Sequence, residues 1–187
     1  MSAAAVLRTG RVAAAMALLA CVWFWWSALS FGSLKPSQVG GIAIIETALL
    51  LSSGLLIRSG ISLRKRFAFA TDHDRQSLRS FRIVVAWEAA AIIVLVAIAL
   101  ALRHPELAPL FTAIVVGVHF IPLARIFQVP FYALVGAAVI VWCLFCWIVF
   151  RGNLVAAYGC FGTGTLLWAL SAWQSIRGWQ VVRSLRA

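Results

Sequence analysis

Three ionisable residues interrupt long apolar stretches of this chain: Glu46, Glu88 and His119. Each stands in a run of about 20 mostly apolar residues, the length that a helix needs to cross the hydrocarbon core of a membrane. Ionisable groups at such positions are costly, and they typically belong to ion or proton pathways. We therefore treat the three residues as candidates for proton movement or cation binding.

The distance of each residue from a basic helix end predicts its depth. Glu88 follows Arg82 by six residues and His119 precedes Arg125 by six, so both lie about 9 Å from that end at about 1.5 Å per residue. A short connection joins the two helices, which favours their packing together. We therefore expect Glu88 and His119 to meet at one depth, as a carboxyl beside a group that can carry positive charge.

Glu46 is predicted to lie deeper. It precedes Arg58 by twelve residues, or about 18 Å. The three groups would then form a staircase across the bilayer. The alternative is that they only hold helices together, with Glu46 bonded to a neighbouring helix and helped by Thr47 or Ser53.

Pro122 lies three residues after His119. A proline within a helix removes one backbone hydrogen bond and clashes with the carbonyl four residues earlier, here that of Val118. A kink with a freed carbonyl beside a titratable ring would suit an ion or a water molecule. Alternatively, neighbouring helices satisfy the freed group, as membrane bundles often do.

Cys143 and Cys146 form a C-x-x-C pair, which can be a redox site. Membrane thiol oxidoreductases of the DsbB and vitamin K epoxide reductase kind also place cysteines in this part of a membrane domain, but they use a second pair on a loop. Cys21 and Cys160 lie within helical segments instead. The competing interpretation is that these cysteines are small apolar packing residues.

Other site chemistry is not indicated. Asp72, His73 and Asp74 are adjacent in sequence, so they cannot all face one metal ion in a regular element, and no further ligands cluster nearby. We find no phosphate-binding loop, dinucleotide fingerprint, nucleophile elbow or zinc protease motif. The sequence therefore predicts no catalytic residues, no metal and no cofactor, and favours a protein that is not an enzyme.

The elements that must position these residues are membrane-spanning helices. The chain of 187 residues is 64% hydrophobic and 11% charged, with a mean hydropathy of +1.00. Soluble domains average about 25% charged residues, and one this small could not bury so much apolar surface. We predict one integral membrane domain over 1–187, an all-α bundle with a basic cytoplasmic loop at 63–80. Its six predicted spans are roughly 11–32, 39–58, 82–102, 107–126, 130–150 and 154–176.

Charge placement predicts the orientation. Most Lys and Arg residues fall at one set of helix ends if both termini are cytoplasmic, while Lys35, Arg103 and Arg151 lie outside. "LLAC" at Cys21 resembles a lipoprotein cleavage site, but the apolar "VWFWW" that follows favours an uncleaved first helix. The excess of Arg over Lys and the abundance of Ala are typical of a GC-rich bacterial genome, and we expect the chain to lie in a bacterial cytoplasmic membrane. The net charge of +11 then indicates anionic lipid head groups rather than nucleic acid as the partner.

Small residues in the sixth segment predict close helix packing. Gly159, Cys160, Thr163 and Gly164 give small-xxx-small spacings, and Ala13, Ala17 and Cys21 do likewise in the first segment. Packing within the bundle is the first interpretation, and homo-oligomer formation is the second.

The stretch "HFIPLARIFQVPFY" resembles a run in uncharacterised bacterial multi-span membrane proteins, in which His-Phe-x-Pro-Leu-Ala precedes a proline that opens the next helix. The resemblance implies a bacterial inner-membrane protein and no particular activity. Function therefore stays with three hypotheses: an ion- or proton-coupled transporter-like protein, a non-catalytic scaffold or accessory subunit, and a thiol oxidoreductase. The matching residues are His119, Phe120, Pro122, Leu123, Ala124 and Pro130.

Overall fold

The computed structural model describes residues 3–31, 36–66 and 72–184. Every secondary-structure element in these ranges is helical, and six helices are long and apolar enough to cross a membrane. The predicted all-α bundle with six spans is confirmed, and the protein is a multi-pass membrane protein. The orientation of its termini stays a prediction. The helices are α1 (Ala3–Phe31), α2 (Pro36–Arg66), α3 (Asp72–Ala101), α4 (Ala108–Phe127), α5 (Pro130–Val149) and α6 (Asn153–Ser184).

Prolines mark several helix starts, where the missing N–H costs least. Pro36 begins α2, Pro130 begins α5, and Pro105 begins a short 3-10 turn that leads into α4. The exit from α4 is sharp because Gln128 adopts a left-handed backbone conformation (φ 54°, ψ 40°). Val129 is then extended, as the residue before a proline prefers.

The segment 63–80 is mostly helical rather than a loop. Residues 63–66 belong to α2 and residues 72–80 belong to α3, while 67–71 lie outside the described residues. The expectation of a loop was wrong for these two stretches because it ended each helix where the apolar run ended. A helix of 31 residues measures about 46 Å and exceeds the hydrocarbon core of about 30 Å, so its polar end continues into water.

The chain divides into two compact units. The first contains 1–22, 34–70 and 167–187, and so the first part of α1, all of α2 and the last part of α6. These helices meet at the fully buried Leu56. A Cβ atom at Gly178 would lie 2.9 Å from Leu56 Cδ1, and one at Gly10 would lie 3.1 Å from Leu56 Cβ. Glycine is therefore what lets three helices approach this closely.

The second unit contains 23–33 and 71–166. In it α4 packs against both α3 and α5. The end of α1 is tied to α6, where the Ser27 hydroxyl donates to the Ala157 carbonyl at 2.9 Å. Much of α3 faces outward, and Trp87 and Ile93 are 74% and 69% exposed. Apolar side chains exposed on a membrane helix contact lipid, so the bilayer is a partner of this protein.

Candidate functional site

Glu88 on α3 and His119 on α4 are brought together in the second unit. Glu88 Oε2 lies 3.2 Å from His119 Nδ1. Their side chains are only 19% and 9% exposed. Each belongs to a membrane-spanning helix, and the two helices pack along their lengths. The equal depth that the sequence predicted is consistent with this contact.

The contact has the distance of an ion pair but not the alignment of a hydrogen bond. His119 Nδ1 is buried and has no hydrogen-bond partner among the described residues, although Glu88 Oε2 is within reach. A small rotation of either side chain would align the two atoms for a hydrogen bond. The geometry therefore permits one proton to be shared between a carboxyl and an imidazole, with charge on both groups only when the proton is on the ring.

Aromatic side chains extend from this pair towards one end of the helices. The His119 ring lies edge-on to Phe120, with 6.5 Å between the centroids. Phe120 contacts Tyr132 of α5, and Tyr132 contacts Phe127 in turn. Tyr132 is a buried titratable group of α5 that contacts Phe120, and the two nearest arginines along α3 and α4 are exposed. The described ring contacts next to the pair are thus aromatic, and among the described residues Glu88 is paired with His119 and with no arginine.

A close helix crossing fixes α4 against α5 beside the pair. A Cβ atom added to Gly136 would overlap the Gly117 carbonyl oxygen and lie 2.8 Å from Phe120 Cβ. A Cβ atom added to Gly117 would lie 2.8 Å from Ile140 Cγ1. Sequence reasoning missed this crossing. Gly117 follows Ala113 at small-xxx-small spacing, but that spacing does not identify Gly136 of α5 as the residue it meets.

Pro122 lies inside α4, and the helix continues through it to Phe127. The proline has no N–H, so the Val118 carbonyl loses its usual helical donor. Val118 is 51% exposed, which places its side chain on the outer face of α4. Pro122 and His119 thus share one helical turn, as predicted, while an ion or water site at this turn stays a hypothesis.

Glu46 belongs to the first unit and has a different partner. Trp168 Nε1 of α6 donates a hydrogen bond of 2.7 Å to Glu46 Oε2. The other carboxyl oxygen, Oε1, is buried and has no hydrogen-bond partner among the described residues. Thr47 and Ser53 do not assist, because each hydroxyl donates to a carbonyl of its own helix at 2.7 Å. Trp168 was not anticipated, since nothing local in the sequence shows which distant helix faces Glu46.

The predicted redox cysteines are fully buried. Cys143 and Cys146 are both 0% exposed and carry free thiols. Cys143 Sγ lies 3.8 Å from the Thr163 hydroxyl of α6, where the buried Cys160 also stands. Thiol exchange needs a thiolate that a partner can reach. The contacts therefore favour a packing role at the α5–α6 interface.

The other candidates concern packing or metal binding. Gly159 of the small-residue stretch faces Leu110 and Gly164 faces Phe24, so both positions serve contacts within the second unit. The adjacent trio 72–74 begins α3, but its side chains lie outside the described residues. Among the side chains that are described, no three potential metal ligands come together.

Comparison with known proteins places the chain in a family. The sequence model of a family of unknown function, DUF7010, matches residues 7–175. The chain belongs to this family. The match takes in all of α2 to α5 and most of α1 and α6, and so the stretch from His119 to Pro130, although it does not single out that stretch as a family motif. No curated protein and no solved structure shows significant similarity to the chain.

Proposed function

We propose that this DUF7010 protein binds and releases protons within the membrane at the Glu88–His119 pair, as a small proton-coupled transporter-like protein would. We place it in a bacterial cytoplasmic membrane with both termini inside, on the distribution of its basic residues. The observation that carries the proposal is the distance of 3.2 Å between Glu88 Oε2 and His119 Nδ1, with both side chains largely buried.

The physical argument rests on the cost of charge in hydrocarbon. A carboxylate or an imidazolium alone at this position would lose its hydration without compensation. Placed together, the two groups hold one proton either as a neutral acid beside a neutral ring or as an ion pair. The pair can therefore hold one proton without net charge and pass it between the carboxyl and the ring, which is what a proton-handling site requires.

A scaffold or accessory role is the competing proposal, and other polar contacts favour it. Ser27 donates to the Ala157 carbonyl and Trp142 donates to the Tyr158 carbonyl at 3.0 Å. Such contacts join helices without any titratable group, and they are worth about 0.6 kcal/mol on average in membrane bundles. In a scaffold the Glu88–His119 contact would be one more link of this kind.

Proton flux into vesicles distinguishes the two. The purified full chain is reconstituted into liposomes that contain a pH-sensitive dye, and an inward proton-motive force is set with a potassium gradient and valinomycin. We expect the protein to raise the rate of acidification above that of empty vesicles. The variants Glu88→Gln and His119→Gln should return the rate to the level of empty vesicles.

The chain offers a matched control pair. His104 Nδ1 lies 2.9 Å from Glu106 Oε1 in the connection between α3 and α4, with the two side chains 60% and 25% exposed. Glu106→Gln and His104→Gln remove the same chemical groups at a hydrated position, so the rate should be unchanged. The proposal fails if the unmodified protein is no faster than empty vesicles, or if Glu88→Gln lowers only the thermal stability.

A further inference from the structure

Buried polar side chains line the contact between α2 and α6 in the first unit. Each is at most 7% exposed. Helical spacing gathers them, because residues four apart or seven apart lie on the same face of a helix. We call this row the α2–α6 seam, and its members are Glu46 and Ser53 on α2 with Ser171, Gln174 and Ser175 on α6.

Two contacts set the register of the seam. Glu46 bonds to Trp168, 122 positions later in the chain. Leu56 contacts Gly178, which is also 122 positions later in the chain. This second contact lies further along both helices. The two helices therefore run parallel and in step.

The same register places Ser53 level with Ser175. Ser171 lies between that level and the Trp168 level on α6. The Ser171 hydroxyl donates to the Ala13 carbonyl at 2.8 Å, and the Ser53 hydroxyl donates to its own helix. Both oxygens keep lone pairs that can accept a further hydrogen bond. The register thus spaces polar side chains along the seam from the level of Glu46 to the level of Ser175.

Two atoms of the seam lack partners. Glu46 Oε1 and Ser175 Oγ are buried without a hydrogen-bond partner among the described residues. A polar atom left in this state in a membrane interior is costly. Their burial indicates that the seam is closed to water in this conformation, and hydration of these two atoms would relieve the cost.

No cation neutralises Glu46 in the described part of the first unit. The two ion pairs found among the described residues, His104–Glu106 and His119–Glu88, lie in the second unit and do not include it. The arginines of this unit whose side chains are described are all exposed to the surroundings. The Cys21 thiol on α1 is half-buried. Among these groups, none pairs with the Glu46 carboxyl to stabilise its anion. An uncharged acid is the form that such a site can hold. The groups concerned are Arg11, Arg58, Arg177, Arg183 and Cys21.

An apolar cluster closes one end of the seam. It lies where α1 begins and α2 and α6 end, with Trp179 packed against it. Trp179 Nε1 also donates to the Ser52 hydroxyl at 3.1 Å, which holds the indole across the contact between the two helices. We call this cluster the terminal plug, and its residues are Val6, Leu56, Val181 and Val182.

We propose that Glu46 is a second proton-binding site, occluded in this conformation, and that opening of the terminal plug admits water along the α2–α6 seam to it. The proton then passes from Glu46 Oε1 to the nearest of these water molecules. It moves from one water to the next along the seam until it reaches the open end. This proposal stands independently of the Glu88–His119 pair, because it rests on other residues in the other unit.

Infrared spectroscopy of the purified full chain in lipid nanodiscs tests the site. We expect a protonated-carboxyl stretch at neutral pH that Glu46→Gln removes and Glu88→Gln leaves in place. The band should shift only slowly after transfer into D2O, since exchange requires the plug to open. If no band depends on Glu46, or if sodium chloride abolishes it at constant pH, the site is ionised or binds a cation, and the proposal is wrong.

Neighbouring leucines provide a matched test of the plug. Leu56 is fully buried in it, while Leu55 is 52% exposed on the outer face of the same helix. Leu56→Ala should speed exchange of the Glu46 band by about tenfold or more, whereas Leu55→Ala should not change it. Trp179→Phe, which removes the bond to Ser52 and part of the ring that packs against the plug, is the second variant should Leu56→Ala not fold. If the Glu46 band exchanges at the same rate in Leu55→Ala as in the plug variant that folds, the terminal plug does not control access of water to Glu46.

Discussion

Replacing Gly136 by alanine tests the helix crossing that supports the Glu88–His119 pair. The new methyl group would overlap the Gly117 carbonyl oxygen and lie 2.8 Å from Phe120 Cβ. The oxygen belongs to helix backbone, which cannot rotate away as a side chain can. The two helices must therefore move apart, and α4 carries His119 with it.

The size of the effect follows from two opposing terms. Overpacking costs about 1–3 kcal/mol, and contact with backbone puts this case near the upper value. Alanine recovers up to about 1 kcal/mol through its better helix propensity. The net loss is about 2 kcal/mol, which corresponds to a fall in Tm of about 4–8 °C for a chain of this size.

Thermal unfolding in detergent, followed by circular dichroism, measures this change. Gly54→Ala is the control, because a Cβ atom at Gly54 would meet nothing within 4 Å and the residue is also helical. That variant should be as stable as the original protein or slightly more stable. If Gly136→Ala melts at or above the temperature of Gly54→Ala, the close approach of α4 and α5 is not present and the reasoning is refuted.

Three further predictions concern the first unit and the buried thiols. Trp168→Phe removes the donor to Glu46 Oε2 and should lower stability by about 1–3 kcal/mol in the same melting assay, because the carboxyl then loses its described partner. Ser171→Ala removes the hydrogen bond from α6 to the Ala13 carbonyl and should lower the free energy of unfolding by less, at most about 1.7 kcal/mol. A larger loss of stability would show that the hydroxyl has another role. Cys143, which is fully buried, should resist maleimide in the native protein and react after denaturation in dodecyl sulfate, whereas rapid native labelling would revive the redox hypothesis.

The prediction of the spans succeeded because the signal is local. A run of apolar residues must become a helix in lipid, since each backbone polar group then finds its partner within the same segment. Errors came where the chain leaves the membrane. Residues 63–66 and 72–80 remain helical, because their polar side chains end the apolar run without ending the hydrogen-bond pattern of the helix.

Depth along a helix could also be read from the sequence. Glu88 and His119 were expected at one level from the constant rise per residue and a short connection, and their side chains lie 3.2 Å apart. The role of the pair is a separate matter, and it stays a proposal until a flux is measured.

The choice of facing helices was decided only by the tertiary structure. Glu46 and Trp168 are 122 positions apart, and no local sequence pattern around either residue predicts that the two will meet. The sequence likewise does not predict that Gly117 of α4 packs against Gly136 of α5. Composition determines that a segment enters the membrane because lipid is a uniform solvent for it, whereas the faces that meet there are selected by the summed packing of many distant side chains, since lipid adds no hydrophobic preference of its own.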